Sequence, residues 1–365
     1  MKYVIDKNKR PAYLQIYRLI KSDIIAGVFA FGSKLPSKRL LANELEVSTV
    51  TVEHAYELLS DEGYTEARER SGYFVIFRSA DGFAASADAA VLPSHAPHAL
   101  SAYPGFSVAT LSKTIRKVLT DYHDVILEKS PNAGCEALRE AIRAYLNRNR
   151  GIQVSREQIV IGSGAEYLYG LIIKLLGRSK VYAIETPSYD KLEQIYHAAD
   201  VRCELLPLLH DGIDSQALKQ SDADVLHTTP YRSFPTGITA SASKRHEYIR
   251  WANQGERFII ESDYGSEFSV SSQPMEPLFV LSDHDNVIYL NTFSRTISPA
   301  MRVGYMVLPR QLVQLFDEKL GFYSCTVPTL EQYILTELIS SGAFERHINR
   351  VRRSKRKELT ATQSI

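Results

Sequence analysis

The sequence predicts an α/β protein in two unequal parts: a small head of helices with a β-hairpin, and a larger domain built on a mostly parallel sheet. Three observations carry this. Near the N-terminus, apolar residues recur at three- and four-residue spacing, the helical period. Residues 79–102 then hold nine Ala and two Pro with no Lys, Arg or Glu, a linker composition. Beyond them, short β-branched runs alternate with helical patterns, the arrangement of a parallel sheet covered on both faces. The expected domains are a head over 1–78, a linker over 79–104 and a large domain over 105–365.

Composition narrows the function classes. The 365 residues are 44% hydrophobic and 23% charged, enough apolar material for a sizeable core and against wholesale disorder. Lys plus Arg number 43 against 42 Asp plus Glu, so any nucleic-acid site must be a local patch. Cys135, Cys203 and Cys325 stand far apart without CxxC spacing. Neither a disulfide framework nor a metal site is expected, and a reducing cytoplasm fits. No run approaches 18 uncharged apolar residues, so no membrane span is expected.

In the head, Tyr13, Ile16, Tyr17, Ile20 and Ile24 mark a first helix ending near Gly27. Ser37, after Pro36, reads as the N-cap of a second helix over 38–45. A short turn at 46–48 leads to a third, with Val52, Ala55, Tyr56 and Leu59 as its apolar face and Gly63 at its end. Residues 64–66 and 73–77 read as two strands around a turn at 69–72. Together these make a winged helix-turn-helix, which presents one helix to a major groove with the wing beside it.

The words PAYLQIYRLIKSDIIAG, KLPSKRLLANELEVSTVTVEHAYELLSDEGY and RSGYFV resemble the GntR-type winged helix over nearly the whole head. The expected partner is double-stranded DNA. Ser37, Lys38 and Arg39 would meet phosphate; Ser48, Thr49 and Thr51 open the recognition helix; Arg68, Arg70 and Gly72 belong to the wing. The GntR pattern usually has Arg where this chain has Thr49, so one strong contact is absent. From Lys2 to Arg78 the head carries twelve cations and ten acids, so binding should lean on dimer avidity.

In the large domain, 159–161 reads as a buried strand, 162–165 as a glycine turn, and Glu166 opens a helix. That arrangement presents free amides to an anion. The words VYAIETPSYDKL, HTTPYRSFPTG, FIIESDYGSEF and VIYLNTFSRTISPAMRVGYMVLP follow in order. The series resembles the large domain of fold-type I aminotransferases, and its joining to a GntR-type head resembles the MocR family of transcriptional regulators. The resemblance implies a homodimer whose large domain senses pyridoxal phosphate (PLP) or a related effector. It places Ser163, Gly164, Ala165 and Glu166 in the phosphate turn, and Tyr189 against the pyridine ring. Tyr264 would meet the phenolic oxygen, and Thr292, Ser294 and Arg302 the phosphate, with Arg302 suited to a bidentate grip.

The departures matter most. The family word T-F-S-K-T reads Thr292-Phe293-Ser294-Arg295-Thr296 here, so the Schiff-base Lys is Arg295. A guanidinium stays protonated and cannot attack an aldehyde. The first Asp of the family's E-D-D-Y aligns with Ser262, which weakens the ring as an electron sink. Asp263 could substitute if the strand shifts, although a one-residue slip turns a side chain to the other face. PLP is therefore expected to bind without a covalent bond, or not at all, and a small anionic effector becomes the alternative ligand. Residues 346–357 hold seven cations and no acid, a solvated helix face or a second DNA contact. The family's small domain is expected to be truncated, with apolar surface exposed near Phe322, Ile334 and Leu338. Two readings compete with a regulator: an active aminotransferase with a DNA-binding head, which Arg295 opposes, and a decayed family member.

Overall fold

A computed structural model describes residues 3, 5–6, 11–69, 71–77, 105–270 and 275–363. It divides into two compact units, Met1–Ala96 and Pro97–Ile365. The expected linker over 79–104 lies outside the described residues.

In the first unit, α1 (Ala12–Ile25), α2 (Lys38–Leu45) and α3 (Thr49–Asp61) enclose a core of Ile16, Ile20, Leu41, Val52, Tyr56 and Leu59. Ser37 accepts the Leu40 amide at 3.2 Å and Ser48 the Thr51 amide at 3.1 Å, so both helices start where their caps dictate. The hairpin is β1 (Thr65–Arg68) with β2 (Gly72–Val75), paired from Thr65–Val75 to Arg68–Gly72. Its ladder reaches closer to the turn than the sequence suggested, because Gly72 adopts φ +107° at the last rung. A further extended segment was not anticipated. The Leu35 amide donates to Tyr73 at 2.9 Å, and Lys34 bridges Phe74, widening the wing.

The second unit holds an eight-stranded sheet in the order β3-β10-β9-β8-β7-β4-β5-β6. Its strands are β3 (Ile159–Gly162), β4 (Tyr182–Thr186), β5 (Cys203–Leu209), β6 (Gly212–Ile213), β7 (Val225–Thr228), β8 (Phe258–Ser262), β9 (Val287–Thr292) and β10 (Gly304–Val307). The ladders from β9 through β8, β7 and β4 to β5 are parallel, and β10 runs antiparallel to both neighbours. Alternate residues enter different cores: on β9, Ile288 and Leu290 join α6 (Ala165–Leu176), while Tyr289 joins α5 (Glu136–Arg150). The helices α12 (Thr329–Ser340) and α13 (Ala343–Gln363) complete the α5 side. Ile334 and Leu338 of α12 are buried there, correcting the expected exposure, while Phe322 is exposed. Among the described residues, no helix is long and apolar enough to cross a membrane.

Candidate functional site

On the head, the expected DNA-facing residues divide by what already holds them. Arg39 is exposed and has no ion-pair partner among the described residues. Lys38 is otherwise: its ammonium binds the Glu53 carboxylate, and that hydrogen bond raises its pKa. Lys38 thus enters any phosphate contact from a partly exposed pair that joins α2 to α3. Arg68 lies 3.3 Å from Glu66 and 4.5 Å from the Phe74 ring centre. Ser37 and Ser48 cap their helices, and the Thr51 hydroxyl is 2.7 Å from that of Ser48. Thr49 is exposed. A Cβ on Gly72 would approach Lys34 Cε to 3.1 Å. Arg70 lies outside the described residues.

In the second unit the strand, glycine turn and helix form in the order the sequence implied. β3 ends at Gly162, the Gly164 amide folds back on the Gly162 carbonyl at 2.8 Å, and α6 begins at Ala165. Gly164, at φ +93°, has no side chain to cap the helix, so its first amides remain for an anion. The exposed Arg302 guanidinium packs over it: a Cβ on residue 164 would lie 3.2 Å from an Arg302 Nη atom. The Ser163 amide donates to the Thr326 hydroxyl at 3.2 Å, and the Glu166 carboxylate lies 3.5 Å from Lys191. Thr292 and Ser294 do not offer free hydroxyl donors. They donate to the Val303 and Met301 carbonyls at 3.0 and 2.8 Å, holding the loop that carries Arg302.

Arg295 opens onto a cavity of about 480 Å³, shared with Tyr264, Ser294, Arg232, His347 and Lys355. No Asp or Glu lines it. Arg295 is exposed and unpaired among the described residues. The acids Glu261, Asp263 and Glu166 are engaged elsewhere. Glu261 accepts the Leu278 and Phe279 amides at 2.9 Å, Asp263 holds Arg150 at 2.8 Å, and Glu166 faces Lys191. Arg302 turns to Gly164 instead, so the cleft does not hold both guanidinia as its lining. Phe234 lines the cavity, and Tyr189 meets Phe234 edge-on with ring centres 6.5 Å apart.

Asp263 is corrected. It does not line this cavity but is buried on the opposite side, accepting from Arg150, Ser266 and Tyr289, each at 2.8 Å. The pleat that points Ser262 one way sends Asp263 the other. Ser262 joins a buried chain in which successive polar atoms lie 2.7–3.3 Å apart, Tyr264–Tyr169–Ser262–His227–Tyr196. Burial pushes the His227 pKa down to about 3, so the ring is neutral and the chain uncharged.

Sequence reasoning missed Tyr169, His227, Arg150 and Lys355. Only His227 left a signal, a polar His-Thr pair closing the apolar strand β7.

The phosphate end of PLP fits this site: an uncapped helix start beside an unpaired guanidinium. The rest does not. Residue 295 supplies no amine, and the Ser262 hydroxyl already sits within the buried chain.

Residues 12–75 match the model of bacterial regulatory proteins of the gntR family, and residues 101–362 match aminotransferase class I and II. The uncharacterized HTH-type transcriptional regulator YdeL of Bacillus subtilis is 33% identical, covering 95% of this chain and 77% of the relative. The probable rhizopine catabolism regulatory protein MocR of Rhizobium meliloti is 26% identical over 94% and 74%. Among solved structures, the α-aminoadipate aminotransferase LysN of Thermus thermophilus, complexed with N-(5'-phosphopyridoxyl)-L-leucine, aligns with TM-score 0.61 and 25% identity. That alignment covers 72% of this chain and 69% of that one.

Proposed function

The chain belongs to the aminotransferase class I and II family and to the HTH-type transcriptional regulators that join such a domain to a gntR-family head, and from that premise we propose how it works. It binds duplex DNA in the cytoplasm through residues 1–78 as a homodimer, and residues 105–365, joined by a linker over 79–104, sense a small anion. The large domain is not a transaminase. The observation that carries this is Arg295, a permanent cation without a carboxylate partner, facing a cavity lined by no acid. A guanidinium cannot act as the amine nucleophile, and it binds phosphate or carboxylate well. Arg302 and the α6 amides supply a separate anion contact at the glycine turn. The absent acid at position 262 removes the partner a protonated pyridine would need. The proposal therefore routes no chemistry through PLP, and admits it only as a phosphorylated ligand held without a covalent bond.

Two measurements test the two halves. Arg39→Ala should weaken binding to every duplex and lower the salt dependence by about one unit of slope, as expected for one lost phosphate contact. A changed sequence preference at constant slope would move Arg39 from phosphate to base. For the large domain, thermal unfolding is compared with inorganic phosphate, PLP and pyridoxal. An anion at a hundredfold excess over Kd should stabilise by about 2.7 kcal/mol. Phosphate and PLP should act where pyridoxal does not. Borohydride should leave residue 295 unmodified, whereas Arg295→Lys should become trappable with PLP. Equal shifts from pyridoxal and PLP would sink the anion site, and an adduct at Lys355 of the unaltered protein would restore covalent chemistry.

A further inference from the structure

We propose that Val50 reads the methyl group of thymine in the major groove, so that the operator half-site is specified by an apolar contact instead of an arginine–guanine pair. The inference rests on the DNA-binding reading of the head and adds what the head recognises.

It follows from what is left unengaged on the first turns of α3. Thr51 is tied to Ser48 at 2.7 Å. Val52 is buried in the core. Glu53, the one acid here, is neutralised by Lys38. His54 stacks on Tyr13 with ring centres 4.1 Å apart. Of the first six residues, only Thr49 and Val50 are exposed without a partner, and Val50 is 69% exposed. No cation or amide remains there to form the bidentate bonds that identify guanine or adenine. The cations stand to the side. Arg39 on α2 and Lys34 beside the wing are exposed and have no carboxylate partner among the described residues. An apolar tip flanked by phosphate-seeking cations fits one feature of the groove floor, the C5-methyl of thymine, its only apolar group. Two valine methyls on a stiff β-branched side chain lose little rotational freedom in that contact. Thr49 adds a hydroxyl that tolerates either donor or acceptor.

The test uses the full chain. Duplexes are enriched from a random pool, and each thymine of the recovered operator is replaced in turn by uracil, which removes only the methyl. One or two positions per half-site should lose about fourfold in affinity, the weight of one methyl group withdrawn from water. In Val50→Ala that uracil penalty should vanish while the salt slope stays unchanged, and Val50→Ile should keep it. Val50 is exposed, so neither variant threatens folding, and unchanged thermal unfolding would confirm this. An operator indifferent to uracil everywhere, or a penalty that persists in Val50→Ala, would overturn the methyl readout alone. A pool from which nothing is enriched would overturn the DNA-binding reading and this inference with it.

Discussion

Asp263→Ala should destabilise the large domain by about 3–5 kcal/mol, the usual cost of breaking a buried ion pair from one side. The Arg150 side chain is 9% exposed and that of Asp263 2%. Without Asp263, the guanidinium retains one bond, to the Met275 carbonyl at 3.3 Å, and its Nε already lacks a partner. The Tyr289 hydroxyl and the Ser266 hydroxyl and amide lose the same acceptor, so four donors lose a bond together. Burial alone would lower the Arg150 pKa, but Asp263 outweighs it and the group is held charged. The chain's single tryptophan, Trp251, is buried in this unit, so its fluorescence in urea follows this domain and not the head. A loss under 1 kcal/mol would show that Arg150 finds another acceptor, such as Glu267, whose charge also acts on it.

A second large effect concerns pH. Glu261 is buried, and its pKa is pushed up to about 7, first by burial and then by the Asp263 charge. In the unfolded chain a glutamate titrates near 4.3. Between those values the unfolded state has released a proton that the folded state keeps. Stability must therefore fall as pH rises through roughly 4.3–7, by about 4 kcal/mol in total from this residue. Glu185, raised by burial to about 6, acts in the same direction over a narrower window. Urea midpoints taken from pH 4.5 to 7.5 should decline, and Glu261→Gln should flatten that decline even though it disturbs the Leu278 and Phe279 amides. An unaltered slope in the variant would show that Glu261 is ionised throughout.

The two tests also mark where sequence reading succeeds. Caps such as Ser37 and Ser48, the glycine turn at 162–165 and the alternation of strands and helices are local. Each is determined by a few neighbouring residues, and each was legible. The pairing of Arg150 with Asp263 joins residues 113 positions apart and has no local signature. Lys38 read as a free cation until α3 brought Glu53 beside it. Tyr169 left no local signal, because only the packed sheet brings its hydroxyl to Ser262 and Tyr264. The missing lysine was visible at once. That its replacement would face open space instead of an acid depended on three carboxylates finding other partners.

The neutral chain under the cavity makes its floor intolerant of charge. An acid at residue 262 would set a carboxylate where Ser262 now lies 2.7 Å from His227. The imidazole would be drawn to take up a proton in a fully enclosed position, and the phenols of Tyr169 and Tyr264 would have to reorient around the new charge. A lysine at 295 would carry no burial cost, since that position is exposed. The floor of the site therefore resists a change of charge that its mouth would accept.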